Sequence, residues 1–339
     1  MNYGRELPGY PYDLKAKLTR CIIWGQRKVF GGLLSRFSGS APLPIDFRGE
    51  QASQAIYDLL ISDKPCLVAR FGWGEMETTL RGLDISDSRN HVLKSLFRFL
   101  VGATGPFWWD NSVRAGIVWA CGYFPETDEA LMRFSQRVCV DAGQIDLLAS
   151  YAVGEKRLSR RFFPNVKTFP LGDYEPFWYS NPWTAALEGK KVLVVGSFPK
   201  TVEMQYKKRR DIFANPKMLP DFDLITYRSI SSFAGNKVPY ATWFEALQKM
   251  CDDIAKIDFD IAFVGCGSYG MSLGAFIKRD LGKKALHTGG ITQLFFGIKG
   301  RRWDAISKYP QTLYNDAWTR PLPEDSVQGA KTIEGGCYW

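Results

Sequence analysis

The sequence predicts an α/β protein with a Rossmann-like, mostly parallel sheet and helices on both faces, built as one large domain or as two lobes. Three observations predict it. Short apolar runs rich in Val, Ile and Leu recur along the chain, as strands buried on both faces require. Segments with helical spacing of apolar residues, about 10–15 residues long, lie between them. Glycine-bearing turns follow several of the runs. With 339 residues, 45% of them hydrophobic and 23% charged, the chain carries enough apolar material for a sizeable core.

The elements follow in order. Residues 1–45 read as a basic, aromatic N-terminal extension ending in the loop Ser38-Gly-Ser-Ala-Pro-Leu-Pro44. The α/β domain spans 46–320, and 321–339 form a C-terminal tail. Gln51 to Leu60 has helical spacing, and Cys66-Leu-Val-Ala69 is a short strand after Pro65. Gly116 to Ala120 reads as a strand, Glu126 to Val140 as a helix, and Ile145 to Ala149 as a further strand. Phe162 to Trp183, rich in Pro, Gly, Tyr and Trp, reads as a long ordered loop or an inter-lobe linker, with a lobe boundary near 165–185. Lys190 to Val195 is a buried strand, followed by a helix from Lys200 to Phe213. Strand Phe222 to Tyr227, helix Tyr240 to Ile257, strand Phe259 to Val264, helix Tyr269 to Leu281 and strand Lys284 to His287 complete the alternation.

Composition narrows the function classes. No apolar run reaches the ~18–20 residues needed to cross a bilayer. Arg5, Asp13, Lys15, Lys17 and Arg20 interrupt any secretory h-region, so the expected location is the cytoplasm. Seven cysteines without a C-x-x-C, and only two histidines, argue against a disulfide framework or a His-rich metal site. The formal charge of +9 is gathered in patches, among them Lys15 to Arg36 and Lys207-Lys-Arg-Arg210. These suit phosphate-bearing ligands or an anionic membrane face. No zinc finger, RNP motif or basic helical array accompanies them, so nucleic acid is not the expected partner. Residues 10–36 mix Lys and Arg with Ile22, Ile23, Trp24, Phe30 and Leu33, as an interfacial helix does, or as an extension packed on the domain does.

In open α/β sheets, ligands bind beyond the carboxyl ends of the strands. Four stretches leave a strand there with glycine and polar residues: Arg70 to Glu75, Gly196 to Thr201, Gly265 to Ser268, and His287 to Gly290. Backbone N–H groups at such turns suit phosphate. Gly265-x-Gly267-x-x-Gly270 has the spacing of a dinucleotide loop, but an NAD site wants a carboxylate about 20 residues further on. That region, Leu286-His-Thr-Gly-Gly290, has none, and the motif comes late in the chain. The phosphate-binding candidates are Arg70, Gly72, Gly74, Ser197, Lys200, Thr201, Arg209, Gly265, Gly267, Ser268, Gly289 and Gly290.

Glu75 and Glu77 follow Arg70 closely. In extended chain, residues two apart share a side, so the pair could hold Mg²⁺ or Mn²⁺ together with phosphate oxygens; alternatively Arg70 and Glu75 pair structurally and Glu77 lies on a solvated helix. His287 ends a strand and is a candidate general base or a satisfied structural group. Asp173 and Glu175, in the aromatic loop Leu171-Gly-Asp-Tyr-Glu-Pro-Phe-Trp178, are further base candidates or parts of a packing segment.

The stretch Val68-Ala-Arg-Phe-Gly-Trp-Gly-Glu-Met-Glu77 resembles the R-F-G-D-G-E segment of GT-D-type bacterial glycosyltransferases. Residues 189–213, 258–290 and 291–304 are similar to a related group associated with bacterial capsule and surface-polysaccharide biosynthesis, over roughly residues 50–310. The resemblance implies a Rossmann-like fold, a nucleotide-sugar donor such as a UDP-sugar, and a divalent metal held by an Asp-x-Glu pair. Arg70, Gly72, Gly74 and Glu75 match the motif; Trp73 stands where the first acidic residue is expected. The resemblance assigns no catalytic base.

The expected function is transfer of a sugar from a nucleotide-sugar donor to a surface-polysaccharide or lipid-linked glycan acceptor. Glu75, His287, Asp173 and Glu175 are its catalytic candidates, with Mn²⁺ or Mg²⁺ at Glu75 and Glu77 in doubt because of Trp73. The alternatives are a non-catalytic polysaccharide-assembly protein with a degenerate site, and a Rossmann enzyme using another nucleotide cofactor such as S-adenosylmethionine.

Overall fold

A computed structural model describes residues 13–30, 43–102, 104–152, 154–329 and 336–339 of the protein. Seven parallel strands form one continuous sheet in the order β3-β2-β1-β7-β6-β4-β5. They are β1 (Leu67–Ala69), β2 (Leu147–Ser150), β3 (Lys167–Pro170), β4 (Lys191–Gly196), β5 (Asp223–Arg228), β6 (Ile261–Gly265) and β7 (Lys284–His287). The α/β, Rossmann-like architecture expected from the alternating runs is therefore present.

Strand residues alternate between two apolar cores, as the period of two demands. Leu67, Ala69, Leu193, Val195, Ala262 and Val264 face one core. Val68, Val192, Val194, Ile261, Phe263 and Leu286 face the other. Both faces are buried, which is why these strands read as unbroken apolar runs.

The α-helices among the described residues, in chain order, are α1 (Leu14–Phe30), α2 (Glu50–Ile61), α3 (Trp73–Asn90), α4 (Val92–Leu100), α5 (Asn111–Arg114), α6 (Asp128–Ala142), α7 (Glu155–Phe162), α8 (Pro199–Lys207), α9 (Arg209–Ile212), α10 (Trp243–Ile254), α11 (Gly270–Arg279), α12 (Thr292–Phe295), α13 (Arg301–Asp304) and α14 (Lys308–Thr312). Side-chain caps set several starts. Thr127 accepts from Ala130 N at 3.2 Å before α6, and Thr242 accepts from Glu245 N at 3.2 Å before α10. No helix among the described residues is long and apolar enough to cross a membrane. Of the interfacial stretch 10–36, residues 10–12 and 31–36 lie outside the described residues.

Three expectations about elements are corrected. Gly116 to Ala120 is not a strand; Ala115–Ala120 is a π-helix that continues α5. A short apolar run cannot be assigned to strand or helix by periodicity alone. Here the Asp110 side chain decides by capping α5, accepting from Ser112 N at 3.0 Å and Val113 N at 3.2 Å. The segment Phe162 to Trp183 is not all loop. It carries β3, whose Leu147↔Lys167 to Ser150↔Pro170 pairing extends the sheet, followed by three 3₁₀ turns. Pro170 ends this strand at the sheet edge, where a missing N–H costs no ladder bond. The helix expected from Lys200 to Phe213 is two, α8 and α9, parted at Lys208.

The topology places the ligand edge. β1, β7, β6 and β4 are adjacent at the centre of the sheet. β4 has β5 on one side and β6 on the other, so the chain reverses direction across the sheet there. A crevice beyond the carboxyl ends of these four strands is the expected consequence.

Candidate functional site

A cavity of about 240 Å³ occupies that crevice. The turns after all four central strands line it: Arg70 to Glu75 except Phe71, Gly196 with Ser197, Gly265 with Gly267, and His287 with Gly289 and Gly290. Four stretches separated by up to about two hundred residues in sequence are thus brought to one place. The volume lies just below the roughly 300–1,000 Å³ common for small-molecule sites.

Arg70 leaves the end of β1 and lies over the turn after β7. A Cβ at Gly289, whose φ is +60°, would stand 2.8 Å from Arg70 Nη1, so glycine is required there by both backbone and space. The Arg70 guanidinium also stacks on Tyr151, 5.5 Å from the ring centroid, and donates to its hydroxyl at 3.5 Å.

Glu75 sits in the first turn of α3, only 2% exposed, with Oε2 accepting from Gly72 N at 2.6 Å. Burial pushes its carboxyl up to about 7, against the lowering effects of the Gly72 hydrogen bond and the Arg70 charge. A buried carboxyl that titrates near neutrality beside an arginine in a cleft is chemically suited to accept and release a proton.

His287 is 2% exposed and packs against α11 so closely that a Cβ at Gly270 would lie 2.2 Å from Nε2. This explains the third glycine of the 265–270 motif: it admits an imidazole rather than a dinucleotide. Burial, with the Arg70 charge, drives the histidine down to about 3. It is therefore neutral across the physiological range, and its Nδ1 has no hydrogen-bond partner.

The remaining expected residues divide. Gly72, Gly74, Ser197, Gly265, Gly267, Gly289 and Gly290 line the cavity with Arg70, Glu75 and His287. Glu77 does not. Residues two apart on a helix point to opposite sides, and Glu77 lies 3.8 Å from Arg81 on the flank of α3 away from the cavity. The pair therefore does not converge on one cation; of the two, Glu75 alone lines the cleft. No group of three or more His, Cys, Asp or Glu arranged to hold a metal ion occurs among the described residues.

The seat expected for phosphate at the start of α8 is filled by the chain itself. Asp325 is fully buried and accepts from Thr201 N and Thr201 Oγ1, each at 2.6 Å, and from Lys200 N at 3.4 Å. It also pairs with Arg228 at 2.5 Å. A carboxylate at a helix N-terminus satisfies the same orphan N–H groups that a phosphate would. Arg209 is turned away to Asp221 and stacks on Tyr206 at 4.7 Å. Ser268 is buried, accepting from Trp243 Nε1 at 2.9 Å.

Asp173 and Glu175 are tied into packing instead of the cleft. Asp173 accepts from Gly49 N at 2.8 Å and Tyr179 Oη at 2.7 Å. Glu175 accepts from Trp178 Nε1 at 2.5 Å and Tyr309 Oη at 2.7 Å.

Several lining residues carry no signal in the sequence. The π-helix contributes Gly116, Ala120 and the following Cys121. Its backbone passes so close to α3 that a Cβ on Gly74 would stand 2.7 Å from Gly116 O. Residues 336–339 also close the cleft. Arg302 N donates to Cys337 O at 3.0 Å and Gln293 Nε2 to Tyr338 O at 3.3 Å. Tyr338 packs on Gly290 and under Arg302, 4.9 Å from its guanidinium carbon, while Trp339 meets Phe198 and Phe233. The cavity thus has a polar end, built by Arg70, Glu75 and His287, and an aromatic wall from residues 198, 233, 338 and 339.

Comparison with protein-family models, with curated proteins and with solved structures gives no match.

Proposed function

We propose that the protein is a glycosyltransferase that takes a nucleotide sugar in this cleft and passes the sugar to a surface-polysaccharide or lipid-linked glycan hydroxyl. The observation that carries the reading is the convergence of four glycine-bearing turns, Arg70 and the buried Glu75 on one cavity at the carboxyl edge of the central strands. Cleft position, glycine-bearing turns and the Arg70 cation suit a diphosphate. The aromatic wall suits a flat ring or a sugar face.

In the reaction, a bond forms from the acceptor oxygen to the anomeric carbon as the bond from that carbon to the diphosphate oxygen breaks. The acceptor proton passes to Glu75, and the nucleoside diphosphate leaves with the electron pair. Arg70 and the turn N–H groups meet the charge that develops on it. Glu75 takes the role of base because its carboxyl titrates near 7, close to the working pH, whereas His287, lowered to about 3, is too weak a base to draw a proton from a hydroxyl.

Trp73 favours a second reading. It stands half-exposed on the cavity wall where the resembling enzymes carry an acidic residue, as a binding protein that has lost its metal would show. Calorimetric titration with a panel of nucleotide sugars, with and without Mn²⁺, separates these readings from others. Binding of at least one donor with release of its nucleoside diphosphate on adding acceptor is expected; binding without release supports the non-catalytic reading, and no binding of any donor overturns both.

A further inference from the structure

The surface of α4 has no counterpart in the nucleotide-sugar reading. Its inner side is anchored by Phe99, buried against Phe107 at 6.4 Å and Trp108 at 5.1 Å between ring centroids. The helix nevertheless exposes five large apolar side chains within nine residues: Val92, Leu93, Leu96, Phe97 and Leu100. Leu93 is 82% exposed and Phe97 65%. Scattered single apolar residues are ordinary on a surface, but a continuous helical stripe of this kind marks an interaction face.

Charge identifies what covers it. From Arg89 to Trp109 the chain has Arg89, Lys94 and Arg98 and no acidic residue at all. Arg89 and Lys94 are exposed, and Arg98 is partly exposed. The same pattern recurs on α1, where Leu14 and Leu18 are exposed beside exposed Lys15 and Lys17. No Asp or Glu occurs from Leu14 to Ile45. α1 packs near α5, which shares the α3 flank with α4.

We propose that α4, together with α1, is a membrane-surface contact that lies in the interface of an anionic bilayer, with Leu93, Leu96 and Phe97 among the acyl chains and Arg89, Lys94 and Arg98 among the headgroups. Apolar burial supplies the bulk of the attraction, and each cation adds about fivefold in partitioning to an anionic surface. A protein partner of ordinary surface would not call for a stripe flanked by cations alone. The proposal does not depend on what the cleft binds.

Vesicle flotation tests it, using the full chain with phosphatidylcholine vesicles and with phosphatidylcholine–phosphatidylglycerol vesicles. The wild type is expected to float with the mixed vesicles and at least about tenfold less with phosphatidylcholine alone. The double variant Leu93→Glu, Phe97→Glu is expected to lose about 100-fold in partitioning, because two exposed apolar anchors are replaced by anions. Both positions are exposed, so circular dichroism and unfolding of the variant are expected to match the wild type. Equal flotation on both vesicle types, or flotation undiminished in the double variant, overturns the proposal. So does light scattering that finds a dimer which the double variant dissociates, since the stripe then covers a second copy of the chain.

Discussion

Glu75→Gln is expected to make the protein more stable above pH 7 and to slow the proposed transfer reaction strongly. The Glu75 carboxyl is raised by burial from 4.5 to about 7. The folded state therefore binds this proton more tightly than the unfolded state does. Its favourable contribution is fully present below the unfolded value and is lost as pH rises to the folded value, then stays lost. The loss amounts to about 3 kcal/mol. Glutamine keeps an acceptor for Gly72 N and carries no charge, so the variant avoids the cost of ionising a buried group. Urea unfolding across pH should show the two proteins nearly equal near pH 4.5 and the variant ahead by about 3 kcal/mol well above pH 7. If the proposed reaction holds, transfer activity of the wild type should rise with pH through about 7, where the Glu75 carboxyl ionises. In the variant it should fall by about 10²–10⁴-fold. A variant destabilised by the same amount at every pH would show that Glu75 acts only as the cap of α3.

Asp110→Ala is expected to cost about 3–5 kcal/mol in unfolding free energy. Asp110 is fully buried, and Arg81, 5% exposed, donates to it at 2.8 Å. Burial acts to raise the Asp110 carboxyl, but Arg81 and the hydrogen bonds of Ser112 and Val113 outweigh it and hold the group below the usual carboxylate range. Alanine removes the cap of α5 and leaves Arg81 with Trp108 O at 2.8 Å and Glu77 at 3.8 Å. The affected helix runs directly into the π-helix that forms the Gly116–Cys121 wall of the cleft, so ligand affinity should fall with stability. Asp110→Asn retains an acceptor for the helix N–H groups and should lose less. Because the wild-type carboxyl is depressed, its contribution is present above the unfolded value and is lost as pH falls through the folded value. Denaturant unfolding checks this; a loss below about 1 kcal/mol would mean that Arg81 finds another partner.

The legibility of the chain follows from its physics. Strands such as Lys284–His287 and Lys191–Gly196 are legible because both faces are buried, leaving an apolar run that nothing else explains. The Gly116–Ala120 run misleads because a buried helical turn with small residues has the same composition as a strand. β3 is hidden by its position at the sheet edge, where Lys167 is exposed and Pro170 is tolerated.

In the site, the four strand-end turns are legible because glycine and polar residues after a buried strand mark its carboxyl edge. Glu77, Asp173, Glu175, Lys200, Thr201 and Arg209 are attractive by residue type but are claimed by other partners: Glu77 and Arg209 by Arg81 and Asp221 nearby in the chain, and Asp173, Glu175 and the Lys200–Thr201 turn by Gly49, Tyr309 and Asp325, more than a hundred residues away. Cys121, Tyr338 and Trp339 reach the cleft through tertiary packing alone. The aromatic wall is therefore invisible until the chain is folded.

A structure of the protein with a nucleoside diphosphate bound tests the central claim most directly. The account predicts phosphate oxygens within hydrogen-bond distance of Arg70 and of the backbone N–H groups at Ser197 or Gly267, with the nucleoside against the aromatic wall. A nucleotide held instead near Lys200 and Arg209, or outside the cleft above β1, β7, β6 and β4, would contradict it.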